Sequence, residues 1–84
     1  MTTRAGSGPA HADFLQELIR MRTQAGLCQS ELAKRLGVKE SVVTRGEAGS
    51  RRVGVIELQL WAFACGITLE EFGRRLDART RHRQ

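Results

Sequence analysis

The side chains able to do chemistry in this 84-residue chain are two histidines, two cysteines and a surplus of arginine. His11 and His82 lie near opposite ends of the chain, and no His/Cys/carboxylate cluster has the spacing a metal ligand set needs. Cys28 and Cys65 each fall in a helical pattern with no candidate base nearby. They read as small core residues and free thiols of a reducing compartment, not as nucleophiles or a disulfide. An enzyme is therefore not expected, and neither is a metal or cofactor. The basic charge is more informative. Net charge is +5, yet up to Gly73 nine basic residues are nearly balanced by eight acidic ones. From Arg74 onward five arginines face one aspartate. This end suits a phosphate-rich partner, and it equally suits a solvated terminus.

The elements that must carry these residues are short. The length allows one domain with one modest core, and 40% hydrophobic with 27% charged residues is globular composition rather than disorder. No apolar run approaches the roughly 20 residues of a membrane span. No basic segment followed by an apolar block marks a secretory signal, so a cytoplasmic protein is expected. Residues 1–10 (MTTRAGSGPA) read as a flexible segment. The spacing of Phe14, Leu15, Leu18 and Ile19 predicts a first helix closed by Gly26. A second is expected over about 29–36, opening on a capping box in which Cys28 stands where a hydroxyl is usual and Glu31 follows. A turn at Gly37-Val38-Lys39 leads to a third over about 40–48, ended by Gly49. Val55 to Cys65 gives a fourth, stopped by Gly66. Thr68 and Glu71 cap a fifth, with Leu69, Phe72 and Leu76 inward. Nothing alternates with period two, so the class is all-α. The domain is expected over 11–78, with a basic C-terminal tail at 79–84.

Two short helices joined by a tight turn form a helix-turn-helix arrangement, a weak signal by itself. The stretch Gly26-Leu27-Cys28-Gln29-Ser30-Glu31-Leu32-Ala33-Lys34-Arg35-Leu36-Gly37-Val38 adds residue-level detail and strongly resembles the Cro/C1-type (Xre-type) helix-turn-helix family. So do Ser41-Val42-Val43-Thr44-Arg45, Glu47, Gly49, Arg51-Arg52, Trp61-Ala62 and Gly66-Ile67. The resemblance runs from about Leu15 to about Phe72. It implies a five-helix lambda-repressor-like domain that docks on double-stranded DNA as a transcriptional regulator and repressor. By position it implies that Gln29 meets phosphate at the start of helix 2, where the helix dipole favours an anion. Glu40, Ser41, Thr44 and Arg45 fall on the outward face of the recognition helix, with Arg45 suited to a guanine. Lys39, Arg51 and Arg52 are placed at the DNA backbone, and Glu47 is placed as an internal brace.

The sequence departs from that family in three places, one of which is Lys39, where relatives commonly cap helix 3 with serine or threonine and where a lysine suits the helix N-terminus only beside bound phosphate. Position 46 usually holds a large apolar residue but is Gly46 here, and Trp61, where relatives more often have isoleucine or leucine, is expected to lean into the gap. On helix 4, Val55, Leu58, Ala62 and Cys65 form the expected core face, while Ile56, Leu60 and Phe63 form a second apolar stripe. A helix apolar on two sides needs a second partner. Either helix 5 folds back over the stripe, or a homodimer covers it, and the dimer is the favoured expectation. An antitoxin-like or adaptor protein, which binds a second protein through helix 4 and the C-terminal region, is the alternative function.

Overall fold

The computed structural model describes residues 8–83. Its regular structure is five helices: α1 (Pro9–Gln24), α2 (Gln29–Leu36), α3 (Glu40–Ala48), α4 (Val55–Ala64) and α5 (Leu69–Arg83). There is no strand among the described residues. α1 begins two residues before the boundary read from sequence, because Pro9 occupies the first turn, where its missing N–H costs nothing. Only Gly8 to Ala10 of the segment expected to be flexible are therefore described, and residues 1–7 lie outside. At the other end α5 runs on through Arg83, so residues 79–83 of the basic tail are the end of a helix and residue 84 lies outside the described residues.

The stops expected at the glycines are where the helices end. Gly49 illustrates why the residue type is needed. Its φ is 83°, and a Cβ there would sit 2.9 Å from Leu15 Cδ1, so both the backbone and the α1–α3 packing exclude a side chain. At the start of α2 the Glu31 carboxylate accepts the Cys28 N–H at 2.8 Å, which holds that carboxyl below its usual range. On α5 only half of the expected box forms. Thr68 Oγ1 accepts the Glu71 N–H at 3.0 Å, but the Glu71 carboxylate is taken by Arg75 and Arg74.

The core joins all five helices: Leu18 and Met21 of α1, Leu32 and Ala33 of α2, Val43 of α3, Leu58, Trp61 and Ala62 of α4, and Phe72 of α5. Phe14 meets Phe72 edge to face, with ring centroids 5.8 Å apart. The gap at Gly46 is filled as expected, since a Cβ there would stand 2.9 Å from Trp61 Cη2 and 3.1 Å from Val53 Cγ2. Val55 is a correction. It sits in the first turn of α4, 67% exposed, instead of on the core face. α5 packs against α1 and α4 but leaves Ile56, Leu60 and Phe63 each more than half exposed. It does not fold back over the second stripe.

Candidate nucleic-acid interface

Position along α3 as well as helical period decides which of its residues are buried, since Glu40 and Glu47, seven apart, share a face but sit at opposite ends of the helix. Val43, Gly46 and Glu47 face inward and are buried, while Glu40, Ser41, Thr44 and Arg45 are exposed. The turn before it closes when the Gly37 and Val38 N–H groups return to the Lys34 and Ala33 carbonyls, at 3.2 and 3.0 Å. Such a turn fixes the angle between α2 and α3 without side chains. Lys39 then stands at the N-cap of α3 with no side-chain cap bond.

A buried polar cluster locks α3 to its neighbours. Glu47, 5% exposed, receives Arg22 Nε at 2.7 Å and Nη2 at 3.1 Å. The third Arg22 nitrogen, Nη1, donates to the Leu27 carbonyl at 2.9 Å. Hydrogen bonding to Glu47 raises the Arg22 guanidinium further above its ordinary value, against the opposing effect of burial. Gln29 Nε2 donates to Glu47 Oε1 at 2.9 Å, and the Thr44 hydroxyl donates to Gln29 Oε1 at 2.9 Å, with the Glu40 carbonyl as its other acceptor at 3.2 Å. The internal brace expected of Glu47 is thus a link across α1, α2 and α3.

The expected contact residues divide into three groups. Lys39, Glu40, Ser41 and Arg45 are exposed, with side chains free of hydrogen bonds and ion pairs among the described residues, and Arg52 is exposed in the loop after α3. These four form the first group. Gln29 and Thr44 form the second, their side chains spent on each other and on Glu47. Arg51 is turned away into an ion pair with Glu57 at 2.8 Å, and its Nη1 is buried with no partner. Arg22 is the functional residue that sequence reading passed over. The signal was present, because a charged residue four positions from Leu18 on the inner stripe of α1 implies a buried counter-charge.

No other chemistry gathers here. Among the described residues no group of three or more His, Cys, Asp or Glu could hold a metal ion. Burial pushes the Cys65 thiol up, away from thiolate character, whereas Cys28 is exposed at the start of α2 and not in the core as expected. No helix among them is long and apolar enough to cross a membrane.

A helix-turn-helix family model matches residues 18–72. A solved structure described as an XRE-family like protein from Pseudomonas syringae pv. tomato is 33% identical and superimposes with a TM-score of 0.77. The match covers 82% of this chain and 84% of that one. No curated protein matches the chain.

Proposed function

Because this chain belongs to the Cro/C1-type (Xre) helix-turn-helix family of DNA-binding regulators, we propose that it is a sequence-specific repressor that lays α3 in the major groove of double-stranded DNA. The observation that carries this reading is the exposed, unpaired group of Lys39, Glu40, Ser41 and Arg45 on a helix whose last turn is pinned by Glu47. A reading helix needs free hydrogen-bonding groups outward and no freedom inward. Arg45 pairs with a guanine, Glu40 accepts from a cytosine amino group or repels wrong sequences, and Ser41 meets a base edge or phosphate. Lys39 and Arg52 contact phosphate. Gln29 contributes its backbone N–H at the start of α2 while its side chain orients Thr44. Arg51 exchanges Glu57 for phosphate on docking. The site of action is the cytoplasm, at the nucleoid.

Titration against a duplex from directly upstream of the gene, beside a scrambled duplex at two salt concentrations, tests this. Arg45→Ala is expected to lower affinity for the native duplex about fivefold to a hundredfold, from the ~1–3 kcal/mol of a bidentate base contact. Affinity for the scrambled duplex should change far less. Equal, salt-sensitive binding of the native protein to both duplexes would leave only the phosphate contribution and overturn sequence reading.

The repressor acts as a homodimer through Ile56, Leu60 and Phe63, joined by Val55, all more than half exposed on α4. Two-fold pairing would set two copies of α3 about one DNA turn apart, ~34 Å. Leu60→Glu is expected to give a monomer by sedimentation, to bind the operator weakly and to melt cooperatively at a temperature independent of protein concentration. Sedimentation of the native chain as a soluble monomer would argue against the dimer. The same stripe favours one second reading, an antitoxin-like or adaptor protein whose main partner is another polypeptide. A second protein that co-purifies with the native chain and is lost with Leu60→Glu would select it.

A further inference from the structure

α1 has a second polar side. At 100° per residue, Leu15 and Arg22 face α3, whereas Glu17 and Gln24 lie on the other side of the helix, against α5. Glu17 is a carboxylate on a helix stripe that should be apolar, and it is 2% exposed. Arg79 approaches it with Nε at 3.3 Å and Nη2 at 3.2 Å, both directed to Oε1. Oε2 is buried with no partner. A buried carboxylate oxygen without a donor is costly, and a water, an ion or a ligand that supplies the missing bond would relieve it.

A groove of about 590 Å³ opens at this point along the α1–α5 seam, lined by Glu17, Arg20, Gln24, Arg75, Arg79 and His82. Arg75 is shared with Glu71 Oε2 at 2.8 Å and Gln24 Oε1 at 3.2 Å. Arg20 is exposed and has no side-chain partner among the described residues. The rim therefore offers guanidinium donors, and Glu17, which lines the groove, holds one orphaned acceptor beneath the surface. A ligand matching both must be an anion that still carries an O–H or N–H.

We propose that the α1–α5 seam binds a protonated phosphoryl group, either hydrogen phosphate or the head of a phosphate monoester, with its P–OH donated to Glu17 Oε2 and its other oxygens held by Arg20, Arg75 and Arg79. Guanidinium groups match a tetrahedral oxyanion in pairs. Sulfate has the same shape but no proton to donate at neutral pH, and it sets two negative charges against the carboxylate. The phosphodiesters of a DNA backbone lack the proton too, so the site is distinct in chemistry as well as position from the face carrying α3. The proposal stands apart from the DNA-binding reading.

The test titrates the full chain with sodium phosphate and with sodium sulfate at equal ionic strength, near pH 6, where a monoester also keeps its proton in part. Amide resonances of α1 and α5 report binding. Phosphate is expected to bind at least about tenfold tighter than sulfate, the scale of one hydrogen bond to a charged group. Glu17→Gln keeps the shape but offers an N–H, and should abolish the preference. Arg20→Ala should weaken both anions while leaving the thermal melt and any DNA binding unchanged, so it tests the site even if Glu17→Gln does not fold. A third titration, with glycerol 3-phosphate, separates the sources: tighter binding than phosphate assigns a monoester, and equal or weaker binding assigns the free ion. Equal affinity for phosphate and sulfate, or no saturable phosphate binding at the seam, would overturn the proposal.

Discussion

Trp61→Ala is expected to lower stability by about 3–5 kcal/mol, as full truncation of a buried aromatic does. For a domain of this size each kcal/mol lowers Tm by roughly 4–8 °C, so a thermal melt reads the loss directly. Trp61 is 1% exposed and its ring end occupies the space that a side chain at position 46 would fill. Removing it would leave a cavity under α3, a helix of nine residues with little stability of its own. DNA affinity should fall even at temperatures where the variant remains folded. The pairing with Gly46 makes the claim sharper. Gly46→Ala alone would gain helix propensity of about 1 kcal/mol but force a Cβ to 2.9 Å from Trp61 Cη2, and overpacking of that kind costs about 1–3 kcal/mol. Combined with Trp61→Leu, the same Gly46→Ala should become favourable. A double-mutant cycle between the two positions would then show coupling of about 0.5–3 kcal/mol. Additive effects would mean the tryptophan does not substitute for the absent side chain.

The second large effect is expected at Arg22. Arg22→Ala would strand the Glu47 carboxylate, whose side chain is 3% exposed, with Gln29 Nε2 as its remaining donor. Breaking one side of such a buried pair costs about 3–5 kcal/mol, chiefly because the surviving charge is left uncompensated. Arg22→Lys should recover only part of it, since a lysine cannot reach both Glu47 oxygens and the Leu27 carbonyl as the guanidinium does. Urea denaturation at neutral pH measures both variants. The exposed Arg74–Glu71 pair on α5 is the internal control: Arg74→Ala should shift the midpoint imperceptibly, because a solvated ion pair contributes little. Arg22→Ala should also reduce affinity for DNA, since Glu47 holds Gln29, and Gln29 holds Thr44, at the edge of the reading face. An Arg22→Ala protein as stable as the native one would show that the cluster orients α3 without stabilising it.

The dependence of both predictions on pairs far apart in the chain explains what was legible beforehand. Helix stops at Gly37 and Gly49, the cap at Glu31 and the inward position of Val43 are set within one or two turns, and so they could be read from neighbouring residues. The exposure of Lys39, Glu40, Ser41 and Arg45 followed from the family resemblance, since helical period alone would set Glu40 on the same face as the buried Glu47. Helix ends were less legible. Pro9 extends α1 backward through its own backbone geometry, and α5 continues past residue 78 because Arg79 and Thr80 find partners on α1, in Glu17 and Asp13.

Sequence alone determined the five helices, the turn between α2 and α3 and the family to which the chain belongs, because capping, periodicity and turn chemistry act over a few residues. Tertiary structure decided which polar groups remain free. Gln29 and Thr44 lie 15 residues apart and bond to each other, Arg22 and Glu47 lie 25 apart, and Glu17 and Arg79 lie 62 apart. It also decided that Trp61 replaces a missing side chain on α3 and that the second stripe of α4 stays uncovered. Side chains that look alike in sequence become an internal brace or an exposed, unpaired group only when folding sets the burial and the partner of each, and neither is encoded by local spacing.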